Sequence, residues 1–275
     1  MARPSAKENK MSNILEEIVA HKKTIVDKNK SLYPEKLLEE SVYFGGKPVS
    51  LKKYIQREDK SGIIAEFKRK SPSKGVINNH ASVEKTSIGY MQAGASGLSI
   101  LTDQKFFGGK NDDLTIARSF NYCPILRKDF IIDEYQIIEA KAIGADVILL
   151  IAAILSPEQV RAFTQKAHEL GMEVLLEVHN KEELEATLID EVDLVGVNNR
   201  DLKTFEVSID TSKELAELIP GHMVKVSESG LHDPGTLVDL RKHGYEGFLM
   251  GEYFMKHGRP EKTCRNFIKK LKSLN

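Results

Sequence analysis

An acid and a base two residues apart, Glu66 and Lys68, close an apolar run in IIAEFKRKSPSKG, from Ile63 to Gly75. If Ile63 to Lys68 is a strand, its two-residue period sends Ile64, Glu66 and Lys68 to one face and Ala65 and Phe67 to the other. A face that should be core then carries two opposite charges. Burying an unpaired charge costs several kcal/mol, so such a strand needs either a paired geometry or a wet, functional end. Comparable placements recur at Lys128 in PILRKDF, Glu177 in VLLEVHN, Asn198, Asn199 and Arg200 in LVGVNNRDL, and Glu228 in VKVSESGL. Parity groups Leu126 with Lys128, Leu175 with Glu177, and Val226 with Glu228. Taken singly, each is readable as the first residue of a loop, and Lys68, Arg69 and Lys70 as a solvated basic run. Taken together, acids and bases at the ends of several apolar runs form a set able to move protons.

Two further stretches read as anion sites. Ser229-Gly230 follows Glu228, and Gly251-Glu252 precedes a short helical segment, Tyr253 to Lys256. Small residues let backbone N–H groups approach a ligand and a helix start adds partial positive charge, so these loops suit a phosphate. Ordinary turn glycine is the bland alternative. Lys68, Arg200 and the Ser71-Pro72-Ser73 loop suit a carboxylate, with Arg200 fitted to bidentate contact. Phe106, Phe107, Gly108 and Gly109 make an aromatic tip and hinge able to cover a flat ring, or equally a hydrophobic plug under the N-terminal helices. His179 reads as structural.

The chain has 275 residues, 41% of them hydrophobic, enough for one large core. Lys+Arg and Asp+Glu are both 40, so no global field favours nucleic acid or an anionic membrane, and anion recognition must be local. Two cysteines, Cys123 and Cys264, in no metal or CxxC spacing fit free thiols in a reducing cytoplasm. The eight histidines are scattered, so neither a protein-held metal nor a cofactor is expected. No apolar run is long enough to span a bilayer, and residues 1–12 read as a disordered leader without a secretory core.

The elements that must position these residues follow from periodicity and capping. Asn13 and Glu16 form a capping-box pattern opening a helix to about Asn29, with Ile14, Leu15, Ile18, Val19, Ile25 and Val26 as its apolar stripe. Pro34 opens a second short helix and Ser50 caps a third through Gln56, giving an N-terminal helical extension over residues 13–60. From Ile63 onward an apolar run of strand length alternates with a capped amphipathic helix that usually ends at glycine. The runs are Ile63 to Lys68, Leu98 to Leu101, Ile125 to Lys128, Val147 to Ile151, Glu173 to Val178, Leu194 to Val197, Met223 to Ser227 and Phe248 to Gly251. Repeated right-handed βα units on this scale predict one α/β domain, a (β/α)8 TIM barrel with additional N-terminal helices. A doubly wound sheet is the runner-up, but no strand is followed by GxGxxG. In such a barrel the charged strand ends converge at one mouth, where Lys68, Lys128 and Arg200 balance Glu66, Glu177 and Glu228.

The ordered set IIAEFKRKSPSKG, SILTDQKFFGG, PILRKDF, LLEVHN, VNNRDL, VSESG and LMGEYFM resembles the indole-3-glycerol phosphate synthase family of tryptophan biosynthesis, over nearly the whole chain from Asn13. The resemblance implies ring closure of 1-(2-carboxyphenylamino)-1-deoxyribulose 5-phosphate with loss of carbon dioxide and water. It implies Lys128 as general acid, with a pKa lowered by a crowded cationic site, and Glu177 as proton-transfer partner. Lys68, paired with Glu66, matches a residue that binds substrate and assists dehydration; Asn198 and Glu228 match positions that orient the ribulose hydroxyls. Arg200 and Ser71 match contacts near the anthranilate carboxylate, and Phe107 belongs to the substrate-binding set. Ser229, Gly230, Gly251 and Glu252 match the phosphate end, mainly through backbone N–H groups; for Glu252 this requires its carboxylate to turn away. A phosphorylated small molecule is the expected partner, and the chain is expected to be a monomer or weak homodimer. Rival readings are a phosphosugar isomerase, which leaves Lys68, Lys128 and Glu177 unused, and a barrel that only binds a phosphorylated ligand.

Overall fold

The computed structural model describes residues 6–201 and 204–274, with side chains from residue 14 onward in the first helix. Eight strands close in chain order into a parallel barrel. They are β1 (Ile63–Phe67), β2 (Gly97–Leu101), β3 (Ile125–Lys128), β4 (Val147–Ile151), β5 (Glu173–Val178), β6 (Leu194–Asn198), β7 (Val224–Glu228) and β8 (Tyr245–Met250). The barrel shuts where Ala65 of β1 pairs with Met250 of β8. Most strands were legible as largely apolar runs because both of their faces are covered, one by helices and one by the barrel's own interior. β8 begins at Tyr245, three residues before the expected Phe248, because Gly247 and the exposed Glu246 interrupt the run.

Alternation separates two cores. Ile63, Ala65 and Phe67 pack outward under the helices. Ile64, Leu126, Leu175, Val226 and Leu249 point inward and fill the barrel's lower half. The inward positions next along the same strands are Glu66, Lys128, Glu177 and Glu228, so one period-two register delivers apolar groups to the floor and charged groups to the mouth.

Three helices precede β1: α1 (Ala6–Leu32), α2 (Glu35–Glu39) and α3 (Leu51–Ile55). α1 begins seven residues before the capping pattern at Asn13, which therefore lies inside the helix; residues 1–5 lie outside the described residues. Its buried face carries Ile18, Lys22 and Val26 at four-residue spacing. α3 is capped by Ser50, whose hydroxyl accepts from the Lys53 N–H. Leu51 and Ile55 of α3 join the inner cluster and plug the barrel's lower end. Gly97 and Gly247 make room for the plug: a Cβ on Gly97 would lie 2.6 Å from Leu51 Cδ1, and one on Gly247 3.2 Å from Ile55 Cδ1.

One feature of the chain was not expected from the sequence. Lys70–Ser71 and Gly75–Val76 pair as a small antiparallel hairpin over the barrel mouth. Runs of two residues carry no readable alternation, and the turn Pro72-Ser73-Lys74 between them reads only as loop.

Candidate active site

The charged strand ends meet in one cavity of about 440 Å³ at the C-terminal rim of the barrel; Glu66, Lys68, Lys128, Glu177, Asn198, Arg200 and Glu228 line it with Ser71, Phe107, Ser229, Gly230, Gly251 and Glu252, whereas Asn199, Phe106, Gly108 and Gly109 do not. Lys128 Nζ donates to Glu177 Oε2 and lies 3.1 Å from Glu228 Oε2. Across the floor Lys68 Nζ pairs with Glu66 Oε1 at 2.6 Å, and Ser99 donates to Glu66 Oε2. Asn198 Nδ2 donates to Glu177 Oε1 at 3.1 Å, while its Oδ1 accepts from Ser229 Oγ at 2.8 Å. Glu228 Oε1 is buried and has no hydrogen-bond partner among the described residues. A buried acceptor without a partner carries its full desolvation cost, and this one is packed toward Gly196 of β6.

Two glycines have a reason that the sequence did not show. A Cβ on Gly251 would lie 2.5 Å from Glu66 Oε1, and one on Gly196 2.4 Å from Glu228 Oε1. Carboxylates occupy the space that side chains would take. Ser229 and Gly230 are both left-handed, at φ of 69° and 75°. Glycine adopts this freely and serine at a cost, which Asn199 helps to offset by donating to the Ser229 carbonyl at 3.1 Å.

The electrostatics correct one expectation. Burial alone pulls an ammonium down, but the carboxylates of Glu177, Glu228 and Glu66 outweigh it, so Lys128 is raised above the usual lysine value rather than lowered. The Lys128 site is anionic in sum, with more carboxylates than ammonium groups around it. Burial drives Glu177 up, but Lys128 and His179 outweigh it and hold the carboxylate below its ordinary range. Glu228 is pushed up to about 7, first by burial and then by the neighbouring Glu177 carboxylate, against the pull of Lys128.

The upper rim also departs from expectation. Arg200, expected at a carboxylate of the ligand, lies beside the loop that follows β8: its guanidinium is 3.7 Å from Glu252 Oε2 and donates to the Phe205 carbonyl at 3.2 Å. Lys74 lies 3.9 Å from Glu252 Oε1. The Glu252 carboxylate therefore faces the cavity between two cations, instead of turning away as a pure backbone contact with phosphate would require. Gly251 and the start of the short helix Glu252–Met255 still border the cavity. Ser71 is buried, and its hydroxyl accepts from the Lys74 N–H at 3.2 Å, holding the hairpin turn.

Ile14, Leu15 and Ile18 of α1 give the cavity an apolar wall, and Phe107 meets Phe130 with ring centroids 5.8 Å apart. Phe107 thus lines the cavity rather than lying buried as a plug, while its neighbour Phe106 is the buried ring. Phe130 was missed, although it continues the inward parity of Leu126 and Lys128. Asp129 was also missed: with Asp103 it binds the buried ammonium of Lys22, at 2.7 and 2.9 Å, and so ties α1 to the loops after β2 and β3. Among the described residues no group of three or more His, Cys, Asp or Glu is arranged to hold a metal ion.

Comparison with known proteins agrees on one family. The model described as indole-3-glycerol phosphate synthase matches residues 15–268. A protein of that name from Bacteroides thetaiotaomicron is 48% identical over 261 residues, covering 95% of this chain and 100% of the relative. Another from Caldanaerobacter subterraneus subsp. tengcongensis is 42% identical over 261 residues, covering 94% and 99%. Among solved structures, a chain of the tryptophan synthase a2b2 complex from Pyrococcus furiosus superposes with a TM-score of 0.57 at 18% identity, covering 78% of this chain and 100% of that one. That likeness shows the barrel fold alone.

Proposed function

The chain belongs to the indole-3-glycerol phosphate synthase family, and from that premise we propose how its residues divide the work. The enzyme is a carboxy-lyase of tryptophan biosynthesis: it closes the ring of 1-(2-carboxyphenylamino)-1-deoxyribulose 5-phosphate with loss of carbon dioxide and water. The observation that carries the assignment of roles is the Lys128 ammonium held between Glu177 and Glu228, with the Lys68–Glu66 pair in the same cavity.

In this reading the aromatic ring lies against the apolar wall of α1, near Phe107 and Phe130. The phosphate lies at Ser229, Gly230, Gly251 and Glu252, and the anthranilate carboxylate lies toward Lys68 and Ser71. Arg200 reaches from β6 toward the same rim and holds either anion by its fork of donors. Lys128 donates its proton to the substrate carbonyl oxygen as the ring carbon attacks, forming the new carbon–carbon bond. Its raised pKa means that the proton is present at the start of each turnover; transfer becomes favourable as Lys128 leaves its carboxylates for the substrate. Loss of carbon dioxide then restores the benzene ring. Glu177 and Lys68 handle the proton traffic of dehydration, in which hydroxide leaves as water and the indole forms. Asn198 and Glu228 bind the ribulose hydroxyls.

We also propose a single barrel domain with residues 13–60 as its helical extension, acting as a monomer or weak homodimer. Every group assigned a role comes from one chain. No helix among the described residues is long and apolar enough to cross a membrane, and two buried free thiols suit the cytoplasm. Indole fluorescence appearing on addition of the carboxyphenylamino substrate tests the assignment together with Lys128→Ala. Product from the wild type and none from the variant supports it; full activity in the variant removes Lys128 from the mechanism.

A further inference from the structure

His179 lies two residues beyond Glu177, with only 5% of its side chain exposed. Its Nδ1 is 3.0 Å from Glu183 Oε2, and the same oxygen accepts the His179 backbone N–H at 2.9 Å. Glu183 belongs to the first turn of the helix Lys181–Thr187, which Asn180 caps, so the imidazole is clamped from outside the cavity. Its other nitrogen, Nε2, is 3.3 Å from Glu177 Oε1 but is not aligned for a hydrogen bond, and it has no hydrogen-bond partner among the described residues. Glu177 already accepts from Asn198 on Oε1 and from Lys128 on Oε2. A buried donor is thus aimed at the catalytic carboxylate, close enough for its charge to act on Glu177 but without an aligned hydrogen bond in the free enzyme. Leaving such a donor unmade is costly unless another state of the site uses it.

We propose that His179 is a positioning residue that takes over Glu177 when Lys128 turns to the substrate. The inference rests on the reading of Glu177 as the proton-transfer partner. Lys128 cannot hold Glu177 and protonate the carbonyl oxygen at once. After it gives up its proton it is no longer a cation, and Glu177 would be left as a buried carboxylate beside Glu228, with only the neutral Asn198 amide for support. Protonation of Glu177 at that moment would end its role as a base. A small rotation of Glu177 toward Nε2 supplies the missing donor and keeps the carboxylate charged and aimed. Burial lowers the imidazole, but Glu177 and Glu183 outweigh it and push it up to about 9, so the ring carries both N–H groups at neutral pH. The groups facing this pair are Glu183 from the following helix, Lys128 from β3, Asn198 from β6 and Glu228 from β7.

His179→Asn is expected to lower kcat about tenfold or more while changing KM by less than about threefold, because the partner is needed after binding. The acidic limb of the kcat–pH profile is expected to move up, since Glu177 without the imidazolium ionises less readily. Glu183→Gln, which leaves the cavity wall untouched, is expected to shift the limb the same way by less. The double variant should match His179→Asn alone, as one pathway requires. An unshifted limb in both single variants, or kcat and KM changing only in step with a lowered melting temperature, overturns the proposal. Glu177→Gln separates the two layers: if it keeps full activity the role of Glu177 itself fails, whereas an inactive Glu177→Gln beside an unaffected His179→Asn sinks only this inference.

Discussion

Lys128 is ion-paired twice in a place where water scarcely reaches, so removing it would do more than delete the proposed proton donor. Lys128→Met should lower kcat at least ~100-fold, the usual scale of a lost general acid. It should also leave Glu177 and Glu228 facing each other, so one of them takes up a proton; steady-state assay and a carboxyl-resolved titration check the two effects. Glu228 gives a prediction of opposite sign for stability. Its folded value, about 7, lies above the ordinary 4.5, so the folded state holds the proton more tightly than the unfolded chain. Folding stability therefore falls as pH rises from about 4.5 to 7 on account of this residue. Glu228→Gln removes that dependence: its melting temperature should match the wild type at pH 4 and exceed it by several degrees at pH 8, while activity drops. Equal melting curves at pH 8 would show that Lys128 offsets the burial fully. The acids and bases of the site were readable because parity on a strand is strict. Phe130 and Asp129 were missed and His179 was read as structural, since each lies in a loop past a strand end, where an apolar or polar residue has a ready local explanation and its partner comes from elsewhere in the chain.

At the level of elements, α1 is fastened to the barrel by an unusual contact for the middle of an apolar stripe. Lys22, between Ile18 and Val26, reaches Asp103 after β2 and Asp129 after β3. Asp129 is also 3.4 Å from Arg127, which binds Glu139 at 2.5 Å, and Asn29 of α1 donates to the same Glu139 side chain at 2.9 Å. Breaking a buried pair by removing one partner costs about 3–5 kcal/mol, because the remaining charges stay buried. Lys22→Met should loosen α1, measured as faster amide exchange along that helix, and raise KM because Ile14, Leu15 and Ile18 wall the substrate cavity. Unchanged exchange and KM would mean that the apolar stripe alone holds the helix. The strands and the Ser50 cap were legible before the fold was known, for local reasons: buried strands are largely apolar runs, and Ser50 does cap a helix. What escaped was non-local. A lysine on an apolar stripe looks like an exposed residue at the stripe's edge until two aspartates from distant loops arrive, and the hairpin over the mouth is too short to have a pattern.

Over the whole molecule, the barrel separates durability from chemistry along its axis, and β5 carries both ends of that division. Glu173 and Glu177 project from the same face of one strand with Leu175 between them, roughly 13 Å apart at the usual rise per residue. Glu177 is in the mouth. Glu173 is at the opposite end, where its carboxylate accepts from the Ser50 hydroxyl and from the N–H groups of Leu51 and Lys52, at 2.8 and 3.0 Å. It thereby satisfies the first-turn donors of α3 and places a negative charge at that helix's N-terminus, holding the plug formed by Leu51 and Ile55. The same change at the two sites should give opposite phenotypes. Glu173→Ala should lower the melting temperature by several degrees, from about 1–3 kcal/mol of lost hydrogen bonding, and leave kcat/KM at 25 °C within about twofold of wild type. Glu177→Ala should cost at least ~100-fold in kcat with a smaller change in melting temperature, because Lys128 keeps Glu228 as a partner. Thermal unfolding and steady-state kinetics on the same two preparations make the comparison. If Glu173→Ala damaged turnover as much as stability, the plug at the bottom would be coupled mechanically to the mouth, and the division of the barrel into a supporting end and a working end would not hold for this chain.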